Sequence, residues 1–180
     1  AGEKGLEYYS ELKVVNLGGL MFTDPFNEAR RPYHWDVHMS GTQIADQFGE
    51  LWCKQMKGRP AQFGASTSPE AAPGNMNGKT RVLGVIGTAD PENIKMREEL
   101  DRVLHTCGDR VAHFYDANTD LSTSAAQKSA RVAKMRESPS ATTVLCLCNP
   151  VGAEFRFHEM QNLPSSPENV FGCTGCLDAG

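Results

Sequence analysis

The stretch RVLGVIGTADPENIKMREEL, residues 81–100, changes its period in mid-course and decides the fold. Val82 to Ile86 is a short run with the composition of a strand buried on both faces. Gly87 and Thr88 end it. Asp90 followed by Pro91 is a helix start: a carboxylate oxygen can accept from the free N–H groups of the first turn, and the proline ring already holds a helical φ. From there Met96, Leu100, Val103, Leu104 and Cys107 recur at i, i+4, i+7, i+8 and i+11, one apolar helical stripe. A strand, a tight turn and a helix, repeated downstream, predict an α/β chain built on a parallel sheet.

The repeats follow at once. Val111 to Tyr115 reads as a second strand, and the polar turn DANTDLSTS leads to a helix from about Ala125 to Arg136 that Ser138-Pro139-Ser140 stops. Thr142 to Cys148 is a third, fully apolar strand. Asn149-Pro150 turns the chain into a helix through Phe155 and Met160, Pro164 and Pro167 end that helix, and Val170 to Cys173 is a fourth strand. The fold class expected is therefore α/β, a doubly wound, mainly parallel sheet with helices on both faces, Rossmann- or flavodoxin-like.

Upstream the signals are weaker. Gly5 to Leu12 has the pattern of a short helix, and Lys13 to Leu17 with Gly18 and Gly19 that of a strand with no neighbour before it to join. Met21 to Arg31 reads as polar and irregular. In RRPYHWDVHMSGTQ, Tyr33, Trp35, Val37 and Met39 alternate with His34, Asp36 and His38, the period of a half-buried extended segment whose apolar face is the first set. Ser40 opens a helix, because Gln43 stands at capping-box spacing, and Ile44, Ala45, Phe48, Leu51 and Trp52 form its buried stripe. Residues 59–79, rich in Pro, Gly, Ser, Ala and Asn, read as a surface loop.

At 180 residues the chain can bury one complete core. Its net charge of -4 and lack of a basic cluster argue against nucleic-acid binding. No apolar run approaches a membrane span, and AGEKGLEYYSEL lacks the apolar core of a signal peptide, so the chain itself is not expected to insert into a membrane.

In an open parallel sheet the ligand crevice lies beyond the carboxyl ends of the strands, where strand order reverses. For an order 2-1-3-4 the loops concerned are Gly87 to Asp90 and Asn149 to Gly152, with Asp116 to Asn118 and Thr174 to Gly175 beside them. Helix starts at Pro91 and Val151 would aim N–H groups into that crevice; the plain alternative is that each is only a good helix cap. Gly84-Val-Ile-Gly87-Thr-Ala89 lacks the third glycine of a dinucleotide fingerprint, and no Walker sequence is present.

Other constellations have plainer readings beside them. His34 and His38 share the HxxxH spacing of a zinc helix, but on an extended chain they stand roughly 13 Å apart, so packing residues are the simpler identity. Cys146 and Cys148 share a strand face, and Cys173 and Cys176 straddle the next strand's end. They could gather as a structural zinc site or supply a redox pair, while cysteine inside a strand is also simply a small buried hydrophobe. Cys53 and Cys107, each on a helix's buried stripe, read as core. No GxSxG elbow is present, Glu98-Glu99 and Glu154 with Glu159 fit solvated helix faces, and no catalytic set emerges.

Taken in order, RPYHWDV, SGTQIADQFGELWCKQM, RVLGVIGTADPEN, VAHFYDA, TTVLCLCNPVGAEF and VFGCTG resemble the type I periplasmic solute-binding proteins of ABC transporters, the branched-chain amino acid (Leu/Ile/Val) family, over roughly Lys13 to Gly175. The resemblance implies a two-lobed clamp about twice this length. Residues 1–33 would be a remnant helix and strand of the first lobe plus the crossing segment, and residues 34–180 the ligand-binding second lobe. It implies no catalysis and no cofactor. The expected partners are a small amino acid or amide-like solute and a membrane permease, and the setting is extracytoplasmic. The ligand contacts implied are Thr88, Ala89, Asp90, Asn149, Pro150, Val151, Thr174 and Gly175, which fall on the loops chosen from topology. The aromatic that such loops often carry is missing at Ala89 and Val151. The alternative is a self-standing flavodoxin-like enzyme, or a thiol redox domain using Cys173 and Cys176.

Overall fold

The computed structural model describes residues 3–18, 22–62, 76–117, 124–147 and 168–172. Its principal sheet has four parallel strands: β3 (Leu83–Thr88), β4 (His113–Ala117), β5 (Thr143–Leu147) and β6 (Asn169–Gly172). They lie in the order β4-β3-β5-β6, the 2-1-3-4 arrangement expected from the strand and helix rhythm. Gly84 sits opposite His113 on one side and Val144 on the other, which fixes the register of the two central strands. Every residue of β3 and β5 is buried, as a strand covered on both faces requires.

Alternate residues of these strands feed two layers. Leu83, Val85, Leu145 and Leu147 point to the face covered by α3 (Gly41–Leu51), a π-helical turn (Trp52–Met56) and α4 (Pro91–Thr106). Ala45, Phe48, Trp52, Met56, Met96, Leu100 and Leu104 pack against them, with Phe48 edge-on to Phe171 of β6 at 5.2 Å between ring centres. Each fully buried large side chain here contributes roughly 1.5–3 kcal/mol. The opposite face receives α5 (Ser124–Met135): Met135 lies against Gly84, where a Cβ would overlap its sulfur. Helices thus cover both faces of the sheet.

The α3 start is as expected. Ser40 Oγ accepts from Gln43 N–H at 3.1 Å, and Gln43 Oε1 accepts from Ser40 N–H at 3.2 Å. Leu51, placed on the buried stripe by period, is instead 38% exposed, while the π-turn after it carries Trp52 and Met56 into the core. The loop at 59–79 is anchored at its ends, where Pro60 bridges Thr80 and both Ala61 and Met76 are buried.

The first forty residues depart most from expectation. The stretch from Met21 to Arg31 is not irregular. It contains α2 (Asp24–Glu28), started by Asp24 and Pro25 and held by Phe22 and Phe26, whose rings stack at 4.1 Å and pack with Leu6 of α1 (Glu3–Glu11). The unpartnered strand β1 (Asn16–Leu17) has a parallel neighbour, β2 (His34–Trp35), in a separate two-stranded sheet. The alternating segment does not bury the face its hydrophobicity indicates: of the polar set His34 is buried, Asp36 is half-buried and His38 is exposed. His34 is buried edge-on to Phe26, whereas Trp35, Val37 and Met39 are exposed. Local packing by Phe26 decides the face here.

The core reading of Cys53 and Cys107 is also corrected. Their sulfurs form a disulfide joining the π-turn to the C-terminal cap of α4, with Cα atoms 5.9 Å apart. Cys146, buried on β5, is likewise disulfide-bonded and is not a free core thiol.

Candidate functional site

The switch point lies between the carboxyl ends of β3 and β5, where Gly87 and Leu147 are register partners. Asn93, three residues inside α4, closes it. Its Oδ1 accepts from Thr88 N–H at 3.0 Å and its Nδ2 donates to the Leu147 carbonyl, so one buried amide joins the two strand ends. Gly87 makes room, because a Cβ there would strike Asn93 Oδ1. The glycines of the GVIG string therefore serve close packing, Gly84 under Met135 and Gly87 under Asn93, which explains the string without a dinucleotide.

Thr88, Ala89 and Asp90 follow directly. Thr88 is buried and its hydroxyl donates to Asp90 Oδ2, while Asp90 Oδ1 accepts from Asn93 N–H at 2.9 Å and caps α4. Ala89 is exposed. Each Asp90 oxygen thus has a donor already, and its negative charge stands at the positive end of α4. Beside this loop, Arg97 lies 4.0 Å over the Phe114 ring and 3.7 Å from Asp116 at the end of β4. Asn149, Pro150, Val151, Thr174 and Gly175 lie outside the described residues, as do Cys148, Cys173, Cys176, Glu154, Glu159 and the helix expected after Pro150.

Two residues that periodicity does not single out tie this loop to the rest of the chain. Glu92 is 4% exposed, and its Oε2 accepts from both Thr23 N–H at 3.0 Å and Thr23 Oγ1 at 2.5 Å, while Lys95 Nζ stands 2.6 Å from Oε1. Burial pushes the Glu92 carboxyl up, but the hydrogen bonds from Lys95 and Thr23 outweigh it and hold the carboxyl below its ordinary range. Asn93 carried a legible signal, an amide at the third helical position after a capping aspartate. Nothing local marks Thr23 as the partner of Glu92, 69 residues away.

Asp36 Oδ1 accepts from His38 N–H at 2.9 Å, bending the segment, and His34 and His38 line one polar cleft. Among the described residues no group of three or more His, Cys, Asp or Glu could hold a metal ion. Nor, among them, is any helix long and apolar enough to cross a membrane.

No family model matches the chain, and comparison with curated proteins finds no match. Solved structures do match. One is an ABC transporter substrate-binding protein from Desulfitobacterium hafniense, with a TM-score of 0.53 and 11% identity over 98% of this chain and 44% of that one. Another is an ABC transporter substrate-binding protein from the same organism in complex with Leu, with a TM-score of 0.47 and 11% identity over 83% of this chain and 36% of that one. The chain spans less than half the length of either. At such identity the likeness is one of architecture: the chain has a doubly wound, parallel α/β fold like that found in part of an ABC transporter substrate-binding protein.

Proposed function

We propose that this chain is the ligand-holding lobe of a two-lobed solute-binding protein, which captures a small amino acid or amide-like solute between its lobes and delivers it to the permease of an ABC transporter. It works by closure around the solute, without catalysis. The observation that carries the reading is the topology. The order β4-β3-β5-β6 creates a switch point at the ends of β3 and β5, and the lobe architecture is that of a substrate-binding protein. Thr88, Ala89 and Asp90 form one rim of the proposed site. Asn149, Pro150 and Val151 after β5, and Thr174 and Gly175 after β6, complete it in this proposal.

Two further observations support the reading. The Cys53–Cys107 disulfide suits an oxidising, extracytoplasmic setting. Val15, Leu17, Trp35 and Val37 are 61%, 73%, 46% and 69% exposed around a two-stranded parallel sheet. Parallel sheets are otherwise covered on both faces, and two strands alone are marginal. We therefore assign residues 1–33 to a remnant of a first lobe plus the crossing segment and residues 34–180 to the second lobe, with His34–Trp35 pairing back to β1.

The test is the thermal midpoint of the complete polypeptide against millimolar leucine, valine, phenylalanine, short amides, zinc and nucleotides. Ligand at a hundred times Kd stabilises by roughly 2.7 kcal/mol. A saturable rise with amino acids or amides is the expected result. A rise with zinc or a nucleotide alone, or none at all, refutes the proposal.

A further inference from the structure

Cys146 is buried near the end of β5 and is disulfide-bonded. The chain has six cysteines, and Cys53 and Cys107 hold each other. The sulfur joined to Cys146 therefore belongs to Cys148, Cys173 or Cys176. All three come after the last residues of β5 or β6, on the side of the sheet where the candidate site lies.

Cys148 is badly placed for the bond. Its Cα separation from Cys146 is governed by the backbone of Leu147, which is extended as the last residue of β5 and pairs with Gly87. At about 3.3 Å per residue the two Cα atoms stand roughly 6.6 Å apart, and side chains two residues apart on a strand run parallel, not toward each other. A disulfide needs Cβ atoms about 3.5–4.5 Å apart. The same-strand pair does not reach that.

The neighbouring strand offers a better path. Cys146 is the register partner of Ile86 on one side and of Gly172 on the other. Ile86 walls the sulfur on the β3 side, whereas Gly172 has no side chain and leaves the β6 side open. Strands lie about 4.8 Å apart, and one step of about 3.3 Å beyond Gly172 sets the Cα of residue 173 roughly 5.8 Å from that of Cys146. That is inside the span of about 4.4–6.8 Å that disulfides occupy. The ladder ends at Gly172, and a glycine there allows the next side chain to leave the alternation of the strand. Cys176, three residues further on, reaches Cys146 only if the chain reverses.

We propose that Cys146 is bonded to Cys173, a bridge from the end of β5 to the end of β6. Closing it takes two protons and two electrons from the two thiols to a disulfide oxidant, which becomes a dithiol. The bridge ties together the strands that lead to Asn149, Pro150 and Val151 and to Thr174 and Gly175, and so sets the spacing of those loops. Its effect on the rim of the site rests on the solute-binding reading; the bond itself does not. It also consumes one half of the Cys173–Cys176 pair, which then forms neither a redox couple nor two ligands of a zinc site.

The test is peptide mapping of the full chain, secreted into an oxidising compartment, purified without reductant and alkylated in guanidinium before digestion. Trypsin cuts after Arg136 and Arg156 and at no later position, so Cys146 and Cys148 fall in residues 137–156 and Cys173 and Cys176 in residues 157–180. The Cys53–Cys107 pair is the internal control for oxidation. The expected result is a single species containing both peptides, split by reductant, with fragmentation placing a bond between Cys146 and Cys173. Cys148→Ser is expected to keep that join. Separate peptides in an unreduced digest whose control pair is intact, loss of the join in Cys148→Ser, or a bond from Cys146 to Cys148 or Cys176 would overturn the proposal.

Discussion

Replacing both Cys53 and Cys107 by alanine probes the covalent tie between the two helices that cover the sheet. The bridge closes a loop of 54 residues. The chain-entropy relation gives about 14 cal/mol/K for a loop of that length, or about 4 kcal/mol at 25 °C. The folded state is otherwise equipped to keep the same segments together. Trp52 Nε1 donates to Asp109 Oδ2 at 2.7 Å, and Lys57 Nζ donates to the Cys107 carbonyl. The loss therefore falls mainly on the unfolded chain, which regains the freedom the bridge removed. Against a typical total of about 5–15 kcal/mol, that is a large share. Guanidinium unfolding of wild type and Cys53→Ala/Cys107→Ala in non-reducing buffer measures it directly. A parallel thermal scan should show a fall of about 8–16 °C. In the unfolded wild type without reductant, neither cysteine should take an alkylating label. A double variant within about 1 kcal/mol of wild type, or labelling of Cys53 and Cys107, would refute the reasoning.

Three other outcomes are expected. Asn93→Ala leaves Thr88 N–H and the Leu147 carbonyl unpaired at the strand ends and should cost about 2–5 kcal/mol in urea unfolding; a loss under 1 kcal/mol would show that water replaces the amide. Gly49→Ala brings a Cβ to 2.6 Å and 2.8 Å from Val103 atoms at the α3–α4 crossing. Overpacking of about 2–3 kcal/mol should exceed the roughly 1 kcal/mol of helix propensity gained, and a variant as stable as wild type in urea unfolding would refute the clash. Glu92, held below its ordinary value of 4.5, contributes stability that is present above about pH 4.5 and lost as pH falls through the lower folded value. Glu92→Gln should therefore lower the midpoint at pH 7 and flatten the acid limb of midpoint against pH; an acid limb identical to wild type would contradict the assignment.

The parts of the fold legible in sequence are those whose signals are local and redundant. In residues 81–106 a buried run, a capping Asp-Pro and a long stripe agree, and the strand order follows from the rhythm of such units. Ser40 and Gln43 are equally plain, since both halves of the capping box lie within four residues. The α2 helix is too short to show a period: it is a single turn capped by Thr23, with Pro25 inside it and Phe22 and Phe26 as its apolar anchors. The hydrophobicity of its neighbours places His34 on the polar face, whereas its burial is set by Phe26, eight residues earlier and on another element. The Cys53–Cys107 pairing rests on how α3 and α4 cross, which no spacing encodes. At the candidate site Asp90 and Thr88 were readable as loop residues. Their use in capping α4 and in bonding each other depends on how the loop folds back on the helix start, which no spacing encodes.

The Thr23–Glu92 contact has a mechanical consequence. Phe22 accepts Gly41 N–H at 2.8 Å, Thr23 gives both its donors to Glu92, and Asp24 N–H reaches Thr42 Oγ1 at 3.1 Å. Three successive residues are thereby riveted to the starts of α3 and α4. Torque applied through the small sheet would meet a clamped joint at residues 22–24, so backbone rotation accompanying any swing of that sheet has to be absorbed at other positions. Stiffness along this route is shared between the Glu92 carboxylate and the Gly41 and Thr42 contacts at the start of α3.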